Sequence, residues 1–145
     1  MKKMLILAAT ALLLSHSTKA QCPEKVVYTV SKLEMLDSAL NITDTKEVTA
    51  TLETTENGIL IHKSTNEADT LAGPITKTTC SWIDPYKNGK VVIIADLHDE
   101  RENLNSATIT IEAVNGKITI LLRAVEYPDK LIRLQVDKYE VSPKK

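Results

Sequence analysis

The stretch ATITIEAVNGKITILLRA, residues 107–124, alternates apolar and polar side chains on either side of Asn115-Gly116. Asn-Gly favours a two-residue β-turn because both of its residues accept a positive φ. Such a turn sets the apolar residues of the two strands opposite one another, in the pairs Ile109 with Leu122, Ile111 with Ile120 and Ala113 with Ile118. The turn chemistry and the face pattern select the same register independently, which predicts an antiparallel hairpin with one apolar face.

Two other Asn-Gly pairs predict further hairpins. At Asn57-Gly58, a four-residue loop sets Leu52 opposite Ile61 and keeps the apolar residues of both strands on one face. At Asn88-Gly89, a tight turn would set two lysines directly opposite each other. We therefore expect a wide loop over residues 84–89.

The rest of the chain also favours strands. Residues 91–97 are nearly all apolar, which is typical of a strand buried on both faces, and residues 132–137 alternate strictly after a turn that contains Pro128. Residues 26–30 are also typical of a strand.

The segment after residue 30 is ambiguous. Ser31-x-x-Glu34 has the spacing of a helix capping box, and leucines follow at helical intervals. A short helix near residues 32–40 therefore competes with a strand.

These segments amount to seven or eight strands, joined mostly by short turns. We predict an all-β fold, an antiparallel meander that is either closed into a small barrel or packed as a sandwich. No low-complexity linker interrupts the pattern, so residues 21–145 are expected to form a single β domain.

Residues 1–20 have the layout of a secretory signal peptide. Lys2 and Lys3 precede an apolar core of 11 residues, and a polar stretch then ends at Ala20, where we expect cleavage. The apolar core is too short for a transmembrane helix, which needs roughly 20 residues. We therefore expect a protein exported to the periplasm or the external medium, without a transmembrane segment.

Export bears on the cysteines. Cys22 and Cys80 are the two cysteines of the sequence, and an oxidising compartment favours their pairing. We predict a Cys22–Cys80 disulfide with a structural role.

Composition and motifs exclude several classes of function. Without the leader the chain carries 15 basic and 19 acidic side chains, and it has five aromatic residues in all, which argues against nucleic-acid binding. The sequence lacks the phosphate-binding, dinucleotide-binding, serine-hydrolase and zinc-protease motifs, and its four glycines offer little material for a phosphate cradle. We predict no catalytic residue and no cofactor.

Two clusters are candidate sites. Trp82 and Tyr86 flank the Asp84-Pro85 step, where they are either core residues or anchors for a protein partner. Asp96, His98 and Glu100 alternate and would share one side if the strand continued past residue 97, which makes them a weak candidate metal site. The alternative for this acidic stretch is an exposed hairpin loop.

We expect a non-catalytic binding module whose target is a protein partner or a small apolar ligand. A protein would bind the loop at residues 84–89 or the acidic stretch at residues 98–106. An apolar ligand would need an unfilled barrel interior, lined by side chains such as Ile109 and Ile120. The alternatives are a metal-dependent hydrolase that uses the His98 cluster and a passive envelope component.

Overall fold

The computed structural model describes Cys22, residues 25–63 and residues 70–142; the predicted signal peptide lies outside these residues. The described part of the chain contains eight strands. They are β1 (Lys25–Leu36), β2 (Ile42–Thr54), β3 (Gly58–Lys63), β4 (Thr70–Asp84), β5 (Asn88–His98), β6 (Leu104–Val114), β7 (Lys117–Ala124) and β8 (Leu131–Ser142).

The strands form a closed antiparallel barrel. Each strand pairs with its neighbours in sequence, and β8 pairs with β1 to close the barrel. The all-β meander is confirmed, with the barrel rather than the sandwich. The described residues include no helix that is long and apolar enough to span a bilayer.

Because the strands alternate in direction, the turns fall at two ends of the barrel. We call one the lower rim, which comprises the turns at residues 37–41, 99–103 and 125–130. The other is the upper rim, which comprises the turns at residues 55–57, 85–87 and 115–116 and is also where β1 begins and β8 ends.

Two predicted hairpins have the predicted registers. In β6 and β7, Ile111 lies opposite Ile120 and the turn is Asn115-Gly116, with φ of 50° and 81°. In β2 and β3, Leu52 lies opposite Ile61, which leaves a four-residue loop. The apolar face of each hairpin points inward and supplies part of the core.

Side chains from all eight strands pack in the barrel interior. The inward residues of the β6–β7 hairpin are fully or almost fully buried, among them Ile109, Ile111 and Ile120. Burying one such aliphatic side chain stabilises the fold by roughly 1.5–3 kcal/mol relative to leaving it exposed.

The expectation of a helix near residues 32–40 is wrong. The segment through Leu36 belongs to β1, whose residues pair with β2 on one side and β8 on the other. A bulge at Ser31, between Val30 and Lys32, shifts the alternation by one residue, so that Val30 and Leu33 both contact the core. Ser31 and Glu34, whose spacing suggested a capping box, are both residues of this strand.

The prediction of a wide loop over residues 84–89 is also wrong, because the turn between β4 and β5 is only three residues long, residues 85–87. Tyr86 and Gly89 adopt φ of 62° and 123°, and a bulge between Trp82 and Asp84 shifts the register so that Lys90 lies opposite Ser81. Lys87 lies in the turn itself, so the pairing of Lys87 with Lys90 that a turn at Asn88-Gly89 would create does not arise.

Residues 91–97 are not buried on both faces. Val91, Ile93, Ala95 and Leu97 point into the core, whereas Ile94 on the other face is exposed. In a closed barrel the outer face of each strand lies away from the core, so one buried face is what the architecture allows.

The predicted disulfide is confirmed. Cys22 precedes β1 and is bonded to Cys80 of β4, with 5.9 Å between the two Cα atoms. Both cysteines are half-buried against the core. Among the described residues β3 pairs with β4 from Gly58 to His62, opposite Pro74 to Thr70, so the bond attaches the segment before β1 to a part of β4 that lies beyond this pairing.

Candidate functional site

The lower rim exposes large apolar side chains. All are more than half exposed and they come from three successive turns or their flanks: Leu40, Ile42, Leu104, Val125 and Tyr127. Single exposed apolar residues are ordinary, but several on neighbouring turns at one end of a domain are typical of an interaction surface.

The three turns are neighbours around the barrel. β6 pairs with β7 and β8 pairs with β1, so the turn at residues 125–130 lies between the other two. The backbone N–H of Val125 donates to the carbonyl of Ser106, and Leu36 lies opposite Leu131. The exposed apolar residues therefore follow one continuous arc of the rim.

Two of these turns have the same Asp-x-x-x-Asn sequence and the same hydrogen bonds. In residues 37–41, Asp37 Oδ1 accepts from the backbone N–H groups of Ala39 and Asn41, and Asp37 Oδ2 accepts from the Asn41 side chain. In residues 99–103, Asp99 accepts the equivalent three hydrogen bonds. Such side-chain to backbone bonds hold each turn in one shape.

The fourth residue of each turn has left-handed backbone geometry, with φ of 67° at Leu40 and 59° at Glu102. This conformation costs an L-residue roughly 1–2 kcal/mol, and leucine is an unusual choice for it. Leu40 is nevertheless held there with its side chain in solvent. A glycine or asparagine would fit the turn better, so the side chain of Leu40 is not explained by the stability of the turn.

Negative charge accompanies the apolar arc. The three lower turns contain six carboxylates and two basic side chains, Arg101 and Lys130. Hydrogen bonds from Asn41 lower the pKa of Asp37, and those from Asn103 lower the pKa of Asp99, so both turns keep their charge in mild acid. The rim is thus apolar and acidic.

Trp82 and Tyr86 lie at the opposite end, in the core. Their ring centroids are 5.3 Å apart, and Tyr86 stacks on Tyr139 of β8 at 4.5 Å. Because β4 and β8 are not neighbours, this stack crosses the mouth of the barrel and closes the upper rim. Trp82 and Tyr86 are both buried, which favours the core interpretation over the partner-anchor interpretation.

This aromatic cluster is short of hydrogen-bond partners. The Trp82 indole N–H and the Tyr86 hydroxyl are buried without a partner among the described residues. Burial, and then repulsion from the Tyr139 phenolate, raises the pKa of Tyr86 to about 12. Burial, and then the charges that Tyr86 and Tyr139 would carry, raises the pKa of Tyr28 well above its usual value. Tyr28 and Tyr86 therefore stay neutral across the physiological range.

The structure does not bring Asp96, His98 and Glu100 together as a metal site. The Ser106 hydroxyl donates to Asp96 at 2.6 Å, His98 ends β5 in an exposed position, and Glu100 lies in the turn beyond. Within the described ranges no group of three His, Cys, Asp or Glu side chains is placed to hold a metal ion.

Sequence reasoning missed an ionic cluster around the buried carboxylate of Glu34, on the β1–β8 pair. Glu34, which the capping-box interpretation placed in a helix, accepts from Arg133 Nε at 2.6 Å and from Gln135 Nε2 at 3.3 Å. Lys32 Nζ lies 3.6 Å from its other oxygen. Burial would raise the pKa of Glu34, but these hydrogen bonds and positive charges outweigh it and lower the pKa.

A pH-dependent contribution to stability follows. Because the pKa of Glu34 in the folded protein lies below its ordinary value of 4.5, its contribution is present above that pH and is lost as the pH falls through the lowered value. Glu34→Gln is expected to lower the free energy of unfolding by about 2 kcal/mol at pH 7, and the difference from wild type should shrink towards pH 3. Urea denaturation from pH 7 to pH 3 measures this.

Glu112→Gln, on the exposed face of β6, is the matched control, with an expected change of at most about 0.5 kcal/mol at either pH. A Glu34→Gln effect of the same size at pH 3 and pH 7 would contradict the ionic explanation.

The Asp-x-x-x-Asn spacing was a signal that could have located both lower turns from the sequence, since an Asp side chain readily caps backbone N–H groups two to four residues later.

Comparison of the chain with protein-family models, with curated proteins and with solved structures finds no match in any of the three.

Proposed function

We propose that the protein is an exported, non-catalytic binding module whose lower rim docks a protein partner that is basic and apolar. The observation that carries the proposal is the exposed side chain of Leu40 at a positive φ, within an arc of exposed apolar residues. Residues in costly backbone geometry are concentrated at functional sites. The acidic surplus of the same turns would attract Lys and Arg of the partner.

A protein partner is favoured over a small apolar ligand. An apolar carrier needs an unfilled interior, but the inward side chains of the barrel pack against one another in a single core. The acidic stretch at residues 98–106, predicted from the sequence as one possible contact, contains one of the three lower turns and contributes Leu104 to the apolar arc.

Export is part of the proposal. A disulfide between Cys22 and Cys80 persists in an oxidising compartment, and the first twenty residues have the layout of a leader. A binding module in the periplasm or the external medium fits both observations.

The variant Leu40→Gly removes the proposed binding side chain without destabilising the fold. Glycine adopts the positive φ without steric cost but adds chain entropy to the unfolded state, so the free energy of unfolding should stay level or rise by up to about 1 kcal/mol. Glu102→Gly, at the equivalent position of the other turn, should behave the same way in urea denaturation.

The binding test uses short peptides selected by phage display against the immobilised, disulfide-bonded protein. The selected peptides should be rich in Lys or Arg together with large apolar residues, and their affinity should fall at least tenfold in Leu40→Gly. Ile83→Ser removes a highly exposed apolar side chain at the upper rim and should leave the affinity within twofold. Selection of acidic peptides, or equal losses in both variants, would refute the lower rim as the binding surface.

A further inference from the structure

β8 has a free edge near the upper rim. It pairs with β1 along its whole length, from Leu36 opposite Leu131 to Lys25 opposite Ser142. Its pairing with β7 ends where Thr119 meets Gln135. If that register is continued, the first residue of β7, Lys117, falls opposite Asp137. Residues 138–142 of β8 therefore extend past the end of β7.

A groove of about 220 Å³ lies beside this edge. It is lined by Gly116, Ile118, Val136, Asp137, Lys138 and Tyr139. β7 and β8 therefore separate at this end of the barrel. The edge of β8 that pairs with β7 nearer the lower rim is accessible here. An accessible strand edge with unused backbone donors and acceptors is a template for another strand.

The side chains of the edge are self-complementary. Lys138 and Glu140 project from the same face, with 3.8 Å between Nζ and Oε1, and both are mostly exposed. In an antiparallel pair of two β8 strands centred on Tyr139, Lys138 of each copy lies opposite Glu140 of the other. Cross-strand pairs of opposite charge stabilise such a register, whereas centring on Glu140 would set two carboxylates opposite each other.

We propose that this edge joins a second copy of the chain, through antiparallel pairing of the two β8 strands about Tyr139. The contact is isologous, so it closes a two-fold dimer and does not propagate into fibres. Within residues 138–142, a register centred on Tyr139 pairs residues 138–140, three a side. This is far less than the area of a typical permanent interface, so the dimer should form only at high protein concentration.

This inference is independent of the proposed partner-binding function, because the two surfaces lie at opposite ends of the barrel. The lower rim stays accessible when two barrels join near their upper rims. Absence of the dimer would leave the proposal for the lower rim intact. Absence of partner binding at the lower rim would likewise leave the dimer proposal intact.

The test uses charge reversal and sedimentation velocity of the disulfide-bonded protein from about 10 μM to 1 mM. Lys138→Glu gives an edge with two acidic residues, and Glu140→Lys gives an edge with two basic residues. Each variant alone should dimerise at least tenfold more weakly than wild type, because like charges then lie opposite each other. A 1:1 mixture should form a heterodimer at least as readily as wild type forms its dimer.

Both side chains are mostly exposed, so neither substitution should unfold the barrel, and circular dichroism of each variant verifies this. A wild-type protein that stays monomeric at 1 mM would overturn the proposal. So would variants that dimerise as well as wild type, or a mixture that shows no gain over the single variants.

Discussion

Removal of the Cys22–Cys80 bond is expected to lower the free energy of unfolding by roughly 4 kcal/mol. The bond closes a loop with a sequence separation of 58 residues, and the chain-entropy model gives that loss for a loop of this length. For a domain of this size the melting temperature should fall by about 15 °C. Thermal denaturation of the oxidised protein, compared with Cys22→Ala/Cys80→Ala, measures it.

The single variants Cys22→Ala and Cys80→Ala are the controls. Each one already breaks the cross-link, so each should lose nearly as much stability as the double variant. If the two single losses instead add up to the double loss, the cysteines stabilise the core by packing and the cross-link contributes little.

The hairpins whose turns and faces are encoded locally could be predicted from the sequence. The register of the β6–β7 hairpin follows from Asn115-Gly116 and from alternation within eighteen residues. Closure of the barrel could not be predicted in this way. It depends on β1 pairing with β8, about one hundred residues away along the chain, and no local pattern specifies that pairing.

Two bulges lie in the segments where the sequence-based predictions failed. A bulge adds one residue to a strand, and a pattern that depends on strict alternation misses it. At Ser31 a bulge changes which residues of β1 face the core, and between Trp82 and Asp84 a bulge shifts the register of β4 against β5 by one residue. No glycine lies next to Ser31, whereas Gly89, with a φ of 123°, lies opposite Trp82 at the second bulge.

The lower rim was predictable only in part. The sequence indicated an acidic exposed stretch at residues 98–106, but it could not show that Leu40 and Tyr127 lie on neighbouring turns, because that depends on the order of strands around the barrel. Exposure of Leu40 was hidden further by the helical interpretation of residues 32–40, in which that leucine would have faced a core.

Trp82→Ala is expected to lower the free energy of unfolding by about 3–5 kcal/mol, as large-to-small substitutions of buried aromatic residues do. Trp82 is 6 % exposed and contacts Tyr86, which in turn stacks across the barrel mouth on Tyr139. Its loss removes packing from the cluster that closes the upper rim. Urea denaturation monitored by circular dichroism measures the effect without relying on the fluorescence of the deleted indole.

Tyr86→Phe distinguishes a core cluster from a binding site on the same residues. The Tyr86 hydroxyl is buried without a partner among the described residues, and leaving such a group unpaired costs about 1–3 kcal/mol. Phenylalanine keeps the ring that stacks on Tyr139 and removes the hydroxyl, so the variant should be at least as stable as wild type.

If Trp82 and Tyr86 were partner anchors, Trp82→Ala would leave stability nearly unchanged and reduce binding. A Tyr86→Phe variant that is less stable than wild type would show that the hydroxyl has a partner in solution, and the cluster would then have to be treated as a polar site.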